Sequence, residues 1–183
     1  MADRYFELAL TSLELSYLKH GFDPKECYVC RKDTAPLVEY GLFGENCGMR
    51  GKCCSECVPA LIVKVAQETG RNAETAGRDR MQYDLRDALL DDEDNTTIRD
   101  QVRYLERFQQ GLVLRALTPA FLLFRQNKPC RQCHDKRCLF RFAWRSKGRV
   151  RSGSCCHKCA FEMAGYVFGA TLEARARADA ATR

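Results

Sequence analysis

GKCCSEC, residues 51–57, returns about a hundred residues later as GSCCHKC, residues 153–159. Both obey the frame Gly-x-Cys-Cys-x-x-Cys, and each follows an earlier close pair of cysteines. Written as spacings, the first set is Cys27-x2-Cys30-x23-Cys54-x2-Cys57 and the second is Cys130-x2-Cys133-x22-Cys156-x2-Cys159. The copies are offset by 103 residues at the first pair and 102 at the second, a single-residue indel. A CxxC turn directs two sulfurs at one point, and a hairpin between two such turns brings four sulfurs together, which suits tetrahedral zinc. The spacing therefore predicts two four-cysteine sites, one on Cys27, Cys30, Cys54 and Cys57 and the other on Cys130, Cys133, Cys156 and Cys159, with two Zn2+ per chain.

Disulfides and dithiol redox chemistry are the competing uses of twelve cysteines in 183 residues. Met1 to Lys19 carries Asp3 and Glu7 and shows neither a basic leader region nor a small-residue cleavage site. That predicts an intracellular protein, cytoplasmic or nuclear and not secreted, whose thiols stay reduced. CSEC ahead of a helix is the arrangement of a redox dithiol, but no βαβ pattern surrounds it. An interleaved RING-type arrangement conflicts with the 72 residues between Cys57 and Cys130. Of each adjacent pair only one cysteine can take the CxxC geometry, so Cys53 and Cys155 are expected to be packing residues. Cys47 and Cys138 have no counterparts in the opposite copy. His134 and His157 stand beside predicted ligands and are the alternative donors.

In both copies the last CxxC runs into an apolar stretch of helical character, PALIVKVAQ at 59–67 and AFEMAGYVFGATL at 160–172. Knuckle, hairpin and helix in this order resemble the treble-clef class of zinc fingers over about residues 25–70 and 128–172. The tandem layout is also similar to the duplicated zinc domains of papillomavirus early oncoproteins, with shorter hairpin intervals and a longer linker. The resemblance implies an α+β, helix-rich fold of two small zinc modules joined by a helical segment.

Around the modules, Phe6, Leu10, Leu13 and Tyr17 at helical spacing predict an amphipathic helix from about residue 2 to 19, the core of an N-terminal segment 1–24. The first module takes 25–70. Residues 71–127 read as linker and helices: a short one on Met81, Leu85 and Leu89, stopped by DDED at 91–94, and a longer one through Ile98, Val102, Leu105, Phe108 and Leu112. PAFLLF at 119–124 is a short buried element. The second module takes 128–172, and 173–183 is a charged, helix-compatible tail expected to fray.

The formal charge of +6 is a weak guide, because each four-thiolate zinc site subtracts about two. Local charge says more. Lys25 to Cys57 holds five basic and five acidic residues, whereas Lys128 to Cys159 holds ten basic residues and one acid, Asp135. In CLFRFAWRSKGRVR, residues 138–151, Phe140, Phe142 and Trp144 alternate with Arg141 and Arg145, and Ser-Lys-Gly turns the chain toward Arg149 and Arg151. That predicts a hairpin with an aromatic face and an arginine face. The sequence carries no catalytic constellation, and four cysteines leave zinc no open position for water, so an enzyme is not expected. The expected function is nucleic-acid backbone binding, RNA or DNA, through Arg141, Arg145, Lys147, Arg149 and Arg151. The alternative is a protein–protein adaptor or assembly component, in a viral or cellular complex, that binds acidic surfaces or other subunits. No stretch has the apolar length of a membrane span.

Overall fold

Leu8 and Leu10 are fully buried on one side of the chain while Ala9 and Thr11 are buried on the other. This alternation belongs to a strand. In the computed structural model, which describes residues 5–13, 25–44, 47–78, 103–108, 110–117, 129–134 and 138–181, Tyr5–Ser12 is strand β1. The expected helix from about 2 to 19 is therefore overturned over 5–13, and its remainder lies outside the described residues. The physical reason is position. β1 is hydrogen-bonded on both edges and covered on both faces, so the polar half of the alternation is missing and helical spacing fits the run equally well.

Val38–Gly44 (β2) and Gly48–Cys53 (β3) form the first hairpin. A 3-10 turn at Ser55–Cys57 leads from it into helix α1, Val58–Arg78. Gly111–Ala116 is β4, Phe140–Ser146 and Arg149–Cys155 are the second hairpin, β5 and β6, and His157–Ala181 is helix α2. All six strands join one antiparallel sheet in the order β3-β2-β1-β4-β5-β6. The expected helix-rich class is thus corrected: the described chain is built on a sheet, in which the pairing of β1 with β4 joins the two hairpins. Of the expected helix through Ile98 to Leu112, residues 103–105 are helical, its start lies outside the described residues, and its end at Leu112 is replaced by β4; the helix on Met81 to Leu89 and the PAFLLF element lie outside the described residues.

The sheet has an internal pseudo-twofold. Ser12 pairs with Val38 and Val38 with Cys53; Ala116 pairs with Phe140 and Phe140 with Cys155. Stepping back along each strand makes Leu8 equivalent to Leu112 and Leu10 to Leu114, and across the junction Leu8 pairs with Leu114 and Leu10 with Leu112. The pseudo-axis passes through the pair Ala9–Val113. A second repeat in the sequence records this relation: LALTSL at 8–13 and LVLRAL at 112–117.

Both helices cover the same face, where Leu8, Leu10, Leu42, Leu112, Leu114, Phe140 and Phe142 meet Leu61, Ile62, Val65, Met163 and Val167. Area lost from water at this layer is the main stabilising contribution. On the opposite face Ala9, Val113, Ala143 and Leu105 make a smaller cluster with Phe43 against it. α2 also crosses to the first half: Thr171, fully buried, accepts the Leu13 backbone N–H at 3.0 Å, and the Arg175 guanidinium donates to the Pro36 carbonyl at 2.8 Å. Among the described residues no helix is long and apolar enough to cross a membrane.

Candidate metal centres

Each centre is assembled by three pieces of backbone. The knuckle residues Cys27 and Cys130 each accept a backbone bond at 2.8 Å from the residue after their CxxC, Arg31 and His134. Both of these residues are left-handed, with φ of 59° and 60°, which reverses the chain after the second cysteine. The knuckle then docks on the hairpin's last strand: the Tyr28 N–H donates to Lys52 carbonyl at 2.8 Å, and the Arg131 N–H to Ser154 carbonyl at 3.1 Å.

This docking explains the glycine of the repeated frame. A Cβ at Gly51 would stand 2.6 Å from the Tyr28 ring and 3.2 Å from its Cβ; one at Gly153 would stand 2.7 Å from the Arg131 side chain. Tyr28 and Arg131 are equivalent knuckle positions, so in both copies the glycine provides the space in which the knuckle lies across the strand.

The third piece is the start of the helix. Cys54 and Cys57 bracket the 3-10 turn before α1, and Cys156 and Cys159 bracket the start of α2. Within each predicted set, Cys27, Cys30, Cys54, Cys57 and Cys130, Cys133, Cys156, Cys159, all sulfurs lie within 4.8 Å of one another. Sulfur separations are 3.8 Å for Cys27–Cys57, 3.9 Å for Cys30–Cys54, 3.6 Å for Cys54–Cys57 and 3.8 Å for Cys133–Cys156. Tetrahedral thiolates at the usual Zn–S distance of about 2.3 Å stand about 3.8 Å apart. A disulfide would need about 2.05 Å, and none of the twelve cysteines is in a disulfide. The two groups therefore have the donor set and the spacing to hold one metal ion each.

Electrostatics favour ionised sulfur at the knuckles. Burial pushes the Cys27 thiol up, but backbone N–H groups of Cys30, Cys54 and Val29 outweigh it and hold the thiol at about 6. At Cys130 burial is likewise outweighed by the N–H groups of Cys133, Cys156 and Gln132, leaving it at about 7. Two of these contacts are direct, Cys54 N–H to Cys27 Sγ and Gln132 N–H to Cys130 Sγ, both 3.4 Å. Cys57 and Cys159 go the other way, raised by burial and then by the neighbouring thiols. Four sulfurs in mutual contact ionise together only around a dication.

The remaining cysteines separate cleanly from the centres. Cys53 and Cys155 are fully buried under the helices, and burial, with the adjacent ligand sulfurs, drives both thiols far up. Cys138 is buried beside the second centre and raised to about 11, and Cys47 is half-buried. No histidine joins either group among the described residues; His157 instead meets Phe161 edge-on at 6.3 Å.

The basic hairpin departs from its expected shape. Lys147 and Gly148, with φ of 49° and 73°, make the tight turn that a two-residue hairpin loop requires. Trp144 pairs with Arg151 and Ser146 with Arg149, whereas Arg145 pairs with Val150 and Arg141 with Ser154. Directly opposed residues share a face, so Arg149 and Arg151 stand with Trp144 on the helix side while Arg141 and Arg145 stand on the other. The expected single arginine face is thereby split. Arg141 also lies in one cross-strand row with Arg115 and the acidic Glu7.

On the helix side the hairpin end forms a groove of about 470 Å³ lined by Trp144, Ser146, Lys147, Arg149, Arg151 and Tyr166. Trp144 and Tyr166 are 5.5 Å apart at 41°, and Tyr166 is 61% exposed. Among the described residues of the first module, Leu42 and Met49 are the pair equivalent to Trp144 and Arg151. Comparison with protein-family models, with curated proteins and with solved structures finds no match for this chain.

Proposed function

We propose that the chain is a non-enzymatic zinc protein whose two tetrathiolate centres pin the hairpins to their helices, and whose second hairpin binds the phosphate backbone of nucleic acid. Zinc is the ion best suited to closed four-cysteine sites with structural roles. The observation that carries the binding reading is the cluster of Lys147, Arg149 and Arg151. All three are exposed, none has an ion-pair partner among the described residues, and no acid lines their groove. Guanidinium and ammonium groups so placed suit phosphate contacts. Arg145 and Arg141, on the opposite face, serve as flanking contacts, with Arg141 attenuated by the row it shares with Glu7.

The adaptor reading rests on a different place. Tyr28, Val29 and Met49 are 51%, 37% and 39% exposed at the first knuckle and the strand beneath it, an apolar surface for a protein partner. Electrophoretic mobility shift at low salt tests the leading reading: RNA or DNA should be retarded, and log K should fall by about 0.7 to 0.9 per phosphate contact for each log unit of salt. Absence of any shift at low salt removes it.

A further inference from the structure

We infer that the groove beside the second hairpin selects single-stranded nucleic acid, by stacking an unpaired base against Tyr166 while Lys147, Arg149 and Arg151 follow the phosphates. This rests on the phosphate-binding reading above and adds the form of nucleic acid to it. Tyr166 projects from α2 over Trp144, so the indole braces one side of the ring pair and the phenol presents the outer one. The three cations lie along one border of the same groove, within the turn and its return strand. A base can reach an exposed ring only if its own face is free, and in a duplex both faces are occupied by neighbouring base pairs. An aromatic platform edged by cations is therefore a single-strand site, tolerant of base identity because every base has a π face.

The residues that line the groove also differ between the two halves of the molecule. At the pseudo-equivalent positions, Leu42 replaces Trp144 and Met49 replaces Arg151, and Lys64 of α1 replaces Tyr166. Both halves keep the metal ligands and the knuckle glycine, so the difference is not required by the fold.

Trp144 is the single tryptophan of the chain, which makes the site directly observable. The zinc-loaded full chain is titrated with an oligothymidylate of about 15 nucleotides, a duplex of equal length and polyglutamate, following tryptophan fluorescence and retardation. Single strand should change Trp144 emission saturably. Tyr166→Ala should weaken that binding about tenfold and leave duplex binding unchanged, while Tyr166→Phe keeps wild-type affinity. Thermal melting and a metal count on each variant confirm that the fold is intact. Equal binding of single strand and duplex, with Tyr166→Ala silent, overturns the stacking site and leaves the phosphate reading standing. Binding to neither nucleic acid overturns both, and binding to polyglutamate alone assigns the groove to an acidic protein surface.

Discussion

Ala9 of β1 and Val113 of β4 face each other where the two halves of the sheet meet, each standing in the other's place under the pseudo-twofold. Their small side chains, with Ala143 and Leu105, close the face away from the helices. An interface centred on one self-equivalent pair is isologous, the geometry of a twofold dimer folded into one chain.

That relationship predicts the behaviour of an isolated half. Residues 1–78 refolded with zinc should form a homodimer, with β1 pairing to its own copy around Ala9, because the alternative leaves a long apolar strand edge unpaired. Light scattering coupled to size exclusion reads the outcome; a folded monomer would contradict the symmetry.

The metal centres predict a stoichiometry. Native mass spectrometry should find two zinc ions per chain, with Cys27→Ser removing one and Cys130→Ser removing the other. Cys53→Ala and Cys155→Ala should keep both ions and lower stability by about 1 to 3 kcal/mol, the expected effect of a small cavity. Chelation should unfold the protein, since binding energy at such sites is folding energy.

Thiol reactivity should follow burial. In the zinc-loaded protein at mildly alkaline pH, iodoacetamide should label Cys47, which is half-buried, before Cys53, Cys138 or Cys155, all buried and held as neutral thiols. Peptide mapping after brief labelling checks this; early labelling of Cys155 would show that α2 opens readily from the sheet.

The knuckle glycines should differ in sensitivity. Gly51→Ala presses on the Tyr28 ring and on its Cβ, which moves only with the backbone, whereas Gly153→Ala presses mainly on a flexible Arg131 methylene. Gly51→Ala should cost about 1 to 3 kcal/mol and speed metal transfer to a chromophoric chelator, and Gly153→Ala should do less of both.

The bond from Leu13 to Thr171 predicts a further asymmetry. Thr171→Val leaves the Leu13 N–H buried without an acceptor and should destabilise by about 1 to 3 kcal/mol, while Thr171→Ser keeps most of the stability. Chemical denaturation of both variants measures it; equal effects would mean packing dominates over the bond.

The two four-cysteine groups were legible because their geometry is local. CxxC spacing constrains two sulfurs within one turn, and the whole frame is repeated, so all eight sulfurs of the two groups could be named without coordinates. The glycine of GKCCSEC and GSCCHKC was visible as a repeat, but its reason, a knuckle lying across a strand, needed the docked backbone. The sheet was hidden for the opposite reason. Residues 5–12 and 111–116 are central strands covered on two faces, and their near-continuous apolar runs lose the alternation that marks a half-exposed strand. LALTSL and LVLRAL held the missing signal, since a second repeat in step with the cysteine frame places both runs in the repeated unit. Sequence by itself determined where the sulfurs converge and which hairpin is basic. Tertiary structure alone decided that the hairpins share a sheet and that the arginines part to opposite faces, because strand pairing and register are set by long-range burial.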